Sequence, residues 1–477
     1  MNMDLKLSDD QCLNEEDAFF EAKSAKGGIP LSMWETYSAF ANSFGGTIVL
    51  GLETAEDGAL TVKGIEDTDK TVNEIWDTIN NPQKVSCNIL RSEDVKILEH
   101  DGKKLVVINV PRADRHDCPL YINDRINGGT FRRNGPNDYR CTKPEVAGMM
   151  RESADIPLDA SVLDNFDMGD IDRGTLSRYR TFMKIGDEKH IWNTVPDDEF
   201  LRLIGAVKKG EDGELRPTMA GLLMFGMEYR ITGEVPDYRL DYIEYMKRGT
   251  EWEYRIVSGD GQWTGNIFDF YLNVTNRLSV STGRPFALGD DWRRVKDTDI
   301  DKALRESLVN ALVHADYRGR VGVRMEVRSN SVTVRNPGLF RIPIREAKQE
   351  ENRDPRNPTL AHMFSLVGAA ERTGSGLYRI METWERKGFE APVIEESLNP
   401  LTVRVTLSMK VDPKIPVISE EDRILRLMAA DGGISIDKIS NETGTPRSKV
   451  EATINQLKEN GKLERIGGKR GGRWVIK

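Results

Sequence analysis

A multidomain α+β protein is the fold class this sequence predicts, on three observations. Its 477 residues exceed what one hydrophobic core usually organises, so two to four domains are expected. Strand-period and helix-period apolar patterns alternate along the chain, and neither dominates. The tail, Ile418–Lys477, has a pattern of its own, set off by the proline-containing linker Val411–Val417.

The first domain is placed at residues 14–150. Leu31–Asn42 reads as a helix, and Phe44-Gly-Gly-Thr-Ile-Val-Leu-Gly-Leu52 as a glycine turn entering a buried strand. Asp57-Gly58 marks a hairpin. Lys104–Val110 is a further strand, ended by Pro111. Thr130–Arg140 carries Arg132, Arg133 and Arg140 around Asn134-Gly135, a basic turn. A helix begins at Pro144. Residues 160–235 read as a mostly helical connector, with helical periodicity at Ile171–Met183, Asp197–Val207 and Thr218–Phe225, and carry no evident chemistry.

The third domain spans 237–411. Tyr238–Arg248 reads as a strand and Ile267–Leu278 as a helix. The next helix lies in Leu304–Tyr317, with apolar residues at helical spacing, after the cap region Asp297–Asp301. Gly322–Arg328 and Ser331–Arg335 form a hairpin around Ser329-Asn330, and Leu401–Met409 is a last strand. Between them, Arg341–Pro358 reads as a charged loop able to cover a ligand. It holds five bases (Arg341, Arg345, Lys348, Arg353, Arg356) against four acids.

The tail, 418–477, predicts helices at Glu420–Ala429, Ile434–Asn441 and Arg447–Asn460. Strands follow at Leu463–Ile466 and Arg473–Ile476, around Gly467–Gly472. That order is the winged helix-turn-helix arrangement. From Thr445 onward nine basic residues face three acidic ones, in a chain of net charge −9, which suits local contact with phosphates. Arg447 is the candidate base reader, and Lys449, Lys469, Arg470 and Arg473 are the candidate backbone contacts. A winged helix used only for protein contact remains the alternative.

Glu306 and Asn310 are four apart, so they share one helix face. The amide oxygen of Asn310 can ligate Mg²⁺, and Glu306 can orient or deprotonate a water beside a γ-phosphate. Downstream, Arg372-Thr-Gly-Ser-Gly-Leu377 is a glycine turn running into the helix Leu377–Gly388, where backbone N–H groups can cradle phosphate oxygens.

The run Arg305–Tyr317 (RESLVNALVHADY), then Asn336-Pro-Gly338, Arg356-Asn-Pro358 and Gly374-Ser-Gly376, resembles the divergent ATPase domain of the RecG-related transcriptional regulators. More broadly, it resembles the Bergerat (GHKL-like) ATPases. The resemblance implies an α/β sandwich that binds ATP and Mg²⁺. Glu306 would serve hydrolysis, Asn310 the metal, and Asn336, Gly338, Arg372, Thr373, Gly374 and Gly376 the nucleotide. Two departures stand out: Asn336 occupies the place of the usual adenine-binding Asp, and Arg372 that of the first glycine. Nucleotide binding is therefore expected, and fast hydrolysis is not.

Glu16-x-x-x-x-Glu21-Ala-Lys23, Ala39–Leu52 and Phe131-Arg-Arg-Asn-Gly135 resemble the Schlafen/Alba-like domain. That implies a nucleic-acid-binding module, with Arg132 and Arg133 on phosphates. In Schlafens proper it implies a metal-dependent RNase, for which Glu16 and Glu21 beside Lys23, with Glu53 or Asp57, could supply the acids. The plainer reading of Glu21 and Lys23 is an ion pair at a strand edge.

No apolar run approaches the ~20 residues of a membrane span. No apolar leader opens the chain, and Cys12, Cys87, Cys118 and Cys141 form no CxxC pair. No G-x-x-x-x-G-K-[ST] occurs, so P-loop helicase chemistry is excluded. The combined expectation is a cytoplasmic, homo-oligomeric, DNA-binding transcriptional regulator, with RNA as another nucleic-acid partner, that binds ATP and Mg²⁺. The alternatives are a Schlafen-like metal-dependent nuclease and a scaffold with a degenerate ATPase fold.

Overall fold

The computed structural model describes residues 5–8, 11–13, 17–55, 59–245, 251–281, 298–349, 354–369, 376–411, 420–443, 445, 447–467 and 473–476. The chain divides into two compact units, Met1–Ser161 and Val162–Lys477.

The first unit contains β1 (Leu5–Ser8), β2 (Gln11–Leu13), β3 (Phe20–Lys23), α1 (Leu31–Ala41), β4 (Gly46–Leu50), β5 (Leu52–Thr54), β6 (Leu60–Val62) and α2 (Thr68–Ile79). It continues with β7 (Val95–His100), β8 (Lys103–Val110), β9 (Phe131–Asn134), β10 (Asn137–Arg140) and α3 (Lys143–Ser153). Its main sheet has the order β3-β4-β8-β7, with only β3 and β4 parallel. The sheet is covered on both sides, which is why β4 and β8 read as unbroken apolar runs. Ile48, Leu50, Val106 and Ile108 pack on the helices, while Val49, Leu105 and Val107 meet Leu52, Leu60 and Val62 of the β5–β6 hairpin. The turn between α1 and β4 needs both glycines. Gly45 has φ +78°, and a Cβ there would lie 2.8 Å from the Val110 carbonyl oxygen; one on Gly46 would enter the Phe40 ring.

The second unit opens with α4 (Arg173–Gly186), α5 (Asp197–Leu203), β11 (Val207–Lys209), β12 (Leu215–Pro217), α6 (Met219–Phe225) and α7 (Glu228–Glu234). Then come β13 (Leu240–Tyr245), β14 (Trp252–Val257), α8 (Ile267–Ser281), α9 (Asp299–His314), β15 (Val323–Arg328), β16 (Ser331–Pro337), α10 (Ile344–Ala347), α11 (Pro358–Leu366), α12 (Gly376–Arg386), β17 (Val393–Leu398) and β18 (Leu401–Ser408). The strands form one sheet, β14-β13-β15-β16-β18-β17, in which only β13 and β15 run parallel.

Residues 160–235 are not a separate helical connector. They include the β11–β12 hairpin, and Tyr179, Phe200 and Leu223 share one apolar cluster with Leu308, Met325 and Val334. The fully buried α6 has no polar face to mark it as surface. Tyr179 shows the join: its ring meets Phe225 and Phe268 edge-on, and its hydroxyl donates to the Met363 carbonyl at 2.7 Å.

The tail holds α13 (Glu420–Ala430), α14 (Ile436–Thr443), α15 (Arg447–Glu459), β19 (Leu463–Ile466) and β20 (Arg473–Ile476). Three helices and an antiparallel hairpin close on their own small core, including Ile424, Ile439, Ile454 and Trp474. Among the described residues, no helix is long and apolar enough to cross a membrane.

Candidate functional site

A cavity of about 500 Å³ lies between α9 and its neighbours in the second unit. Its lining includes Glu306, Asn310 and His314, one stripe of α9 at four-residue steps. Val334 and Asn336 of β16 and Val403 and Val405 of β18 form another wall, and Gly376 and Ile380 of α12 a third. Phe340, Arg341, Ala347 and Asp354 come from the segment after β16. Glu306, Asn310, Asn336 and Gly376, up to 70 residues apart in sequence, thus line one space.

The capping box of Thr298 and Asp301 starts α9 and sets its register. Apolar Leu304, Leu308, Val309 and Leu312 then bury one side, leaving Glu306 and Asn310 on the cavity side. Gly376 packs directly on that pair. A Cβ on it would lie 2.7 Å from Asn310 Nδ2 and closer still to Glu306 Oε1. Burial pushes the Glu306 carboxyl up to about 7, against the pull of Arg379. His314 turns its surface to the cavity. Desolvation in the cavity wall, with Arg356 and Arg341 alongside, pushes it down to about 4.

Two short motifs, Arg356-Asn-Pro358 and Asn336-Pro-Gly338, meet at the far end of α9. Arg356 donates to the His314 carbonyl, and its Nη2 to the Leu339 carbonyl at 2.9 Å. Asn357 Nδ2 donates to the carbonyls of Val313 and Ala315, both at 2.8 Å. These side chains satisfy acceptors that the helix end would otherwise orphan. Pro358 then opens α11. Gly338 (φ +92°) lies under the same guanidinium, since a Cβ there would fall 2.5 Å from Arg356 Nη1. Arg356 is therefore a buried helix cap and not a base of the loop; the sequence offered only its place before Asn-Pro as a signal. Arg341 leans toward Asp354 at 3.5 Å. Asn336 is buried, and its amide donates to the Pro337 carbonyl at 3.1 Å. Arg353, Arg372, Thr373 and Gly374 lie outside the described residues.

The ionisation of Glu306 gives a pH prediction. Its folded-state value is raised above that of an unfolded glutamate, so the folded state binds the extra proton. The stability this contributes is complete below about pH 4.5 and is lost as pH rises through about 7. Glu306→Gln should therefore match the wild type in melting temperature near pH 4.5 and exceed it at pH 8. A gap that stays constant with pH would contradict the burial of this carboxyl.

In the first unit the structure corrects the expectation for Arg132 and Arg133. Both are buried, Arg133 with 3% exposure. Asn42 and Ser43 pin the approach of β9 to α1. Asn42 Nδ2 donates to the Leu120 and Phe131 carbonyls, and the Arg133 N–H donates to Ser43 Oγ at 2.9 Å. This turns Arg133 inward. It lies 2.7 Å from Glu21 Oε2 and 2.9 Å from Asp138 Oδ1, donates to the carbonyls of Asp17 and Phe20, and stacks on Phe40. Glu21 also pairs with Lys23 at 2.5 Å. The two arginines therefore do not project from the turn to meet phosphate. Among the described residues, no three His, Cys, Asp or Glu side chains gather as a metal site. Glu16 and Asp57 lie outside those residues, and Glu53 pairs with Lys63 at 3.0 Å.

In the tail, Arg447 pairs with Asp437 and, at 2.9 Å, with Glu451. Its fork is held within the domain in this structure, contrary to the expectation of an open base reader. Lys449 and Arg473 are exposed, while Lys469 and Arg470 lie outside the described residues.

Three family matches cover parts of the chain. Residues 16–142 match the family described as "Schlafen, AlbA_2", and residues 147–241 a domain of unknown function (DUF8451). Residues 321–407 match "Putative ATP-dependent DNA helicase recG C-terminal", a span that holds Asn336, Arg356 and Gly376 and begins after α9. No curated protein gives a significant match. Among solved structures, the DIP2311 protein from Corynebacterium diphtheriae is 20% identical over 96% of this chain and 92% of its own, with a TM-score of 0.42. The N-terminal domain of the protein described as "Putative ATP-dependent DNA Helicase RecG-related Protein" from Nitrosomonas europaea is 30% identical. That match covers 27% of this chain and 86% of its own, with a TM-score of 0.22. The chain thus combines a domain of the Schlafen AlbA_2 type with one of the recG C-terminal type.

Proposed function

We propose that the protein is a DNA-binding transcriptional regulator that binds ATP with Mg²⁺ in the α9 cavity and hydrolyses it slowly. One observation carries this reading: Glu306, Asn310, Asn336 and Gly376 line a single cavity large enough for a nucleotide. The donor set suits the metal. Asn310 offers an amide oxygen, a hard ligand for Mg²⁺, and Glu306 on the same wall offers a carboxylate to orient a water. When bound, the ion supplies neutralising charge to the phosphates. Glu306, with its carboxyl near 7, is poised to accept a proton from an attacking water at physiological pH. Asn336 offers an amide oxygen to a base edge, a weaker acceptor than a carboxylate.

The tail, read as a winged helix, would hold DNA through Lys449 and Arg473, with Arg447 reaching a base once released from Asp437 and Glu451. Nucleotide-dependent closure of the segment after β16 would bias DNA affinity, and DNA would change ATP affinity by the same factor. The nuclease alternative has less support, because Lys23 and Arg133 already hold Glu21.

The test is nucleotide-induced stabilisation. Mg-ATP in excess of its Kd should raise the melting temperature of the intact chain. Gly376→Val should abolish the rise, because its side chain would displace Glu306 and Asn310. A Gly376→Val protein that Mg-ATP still stabilises would place the nucleotide elsewhere.

A further inference from the structure

The six-stranded sheet has a second face, opposite α9, that the ATP reading leaves without a role. Side chains alternate along each strand, so Arg335 points away from cavity-lining Val334 and Asn336, and Arg404 away from Val403 and Val405. The registers place Arg324 opposite Arg335 and Arg335 opposite Arg404. Three guanidiniums therefore stand in one row across β15, β16 and β18. Like charges directly opposite on neighbouring strands destabilise a sheet, so such a row calls for counter-charge.

Among the described residues, direct ion pairs reach the outer two arginines and not the central one. Glu326 lies 2.9 Å from Arg324 and is shared with Arg328 at 3.7 Å. Glu395 reaches Arg404 at 3.9 Å. Asp241, directly opposite Arg324 on β13, is already engaged by Arg255 at 2.8 Å. The central Arg335 has no ion pair among the described residues, and its Nε is buried without a hydrogen-bond partner. Burial, with Arg324 and Arg404 alongside, pushes its guanidinium below the ordinary value.

We propose that this arginine row is a second nucleic-acid contact, one that binds the phosphate backbone. Adjacent strands are ~4.8 Å apart, so the row spans roughly 10 Å. Phosphates of one nucleic-acid strand advance ~3.4 Å along the axis, so the row can face about three of them. Arginine suits this role, because its planar fork takes phosphate oxygens in pairs. The next row adds hydroxyl donors: Thr333 opposes Thr406, with Oγ1 atoms 3.4 Å apart. The contact would be sequence-independent, on strands that the tail does not share. It extends the DNA-binding reading and does not depend on the ATP site.

The experiment measures binding of the full chain to a labelled 20-base-pair duplex of arbitrary sequence, across about 50 to 200 mM salt. The double variant Arg335→Gln/Arg404→Gln should bind about tenfold more weakly at the lower salt. Its slope of log affinity against log salt should fall by about two units. Its melting temperature should equal or exceed that of the wild type, since the change removes like-charge repulsion. A Lys449→Gln/Arg473→Gln variant serves as the comparison. If the tail variant loses slope and the sheet variant does not, the row is no nucleic-acid site, while the DNA reading of the tail stands. If the wild type binds no duplex at any salt, both fail.

Discussion

Asn310→Ala should lower the affinity for Mg-ATP by roughly ten- to a hundredfold, the effect of losing one charge-assisted contact of about 1.5–3 kcal/mol. The loss should vanish when ATP is titrated without Mg²⁺, because the contact at issue is to the metal. Glu306→Ala should behave differently: it should keep most of the binding and lose hydrolysis. The split follows from the stripe on α9. Both side chains face the cavity beside Gly376, but only Glu306 has a carboxyl held near 7. Calorimetric titration and phosphate release on the two variants check this. Unchanged Mg-ATP affinity in Asn310→Ala would remove Asn310 from the site.

Arg133→Ala should destabilise the first unit by about 3–5 kcal/mol, because it leaves Glu21 and Asp138 buried beside a missing charge. Two carbonyls, of Asp17 and Phe20, lose their donor in the same step. Denaturant unfolding should show the early loss of this unit. The salt dependence of nucleic-acid binding should stay as in the wild type, because the side chain does not reach solvent. A stable Arg133→Ala protein with weakened, salt-flattened binding would return this arginine to the phosphate role that its sequence position first implied.

Some elements were legible in the sequence and others were not. Helix α9 and the β15–β16 hairpin were legible because their apolar periods are strong and local turn or cap residues bound them. The tail elements were legible for the same reason. Edge strand β17, Val393–Leu398, was not, because its acidic, half-exposed residues break the alternation expected of a sheet. Helix α11 was hidden because Pro358, read as the end of a loop, is its first residue. Arg133 was misread because its partner Glu21 lies 112 positions away and no local pattern announces a buried guanidinium. Arg356 poses the same difficulty. Arg-Asn-Pro could be seen as a motif, but only the folded chain shows it capping α9 and requiring Gly338 beneath it. Of the candidate nucleotide site, the α9 pair, Asn336 and Gly376 could be named in advance, whereas the apolar walls from β18 and the segment after β16 could not.

The central claim is that the α9 cavity is a nucleotide site. Its most direct test is a calorimetric titration of the intact chain with ATP, in the presence and absence of Mg²⁺. The account predicts one saturable site per chain, occupied below millimolar ATP and tightened by Mg²⁺. No heat of binding at millimolar Mg-ATP would contradict it and leave the domain a scaffold with an empty ATPase fold.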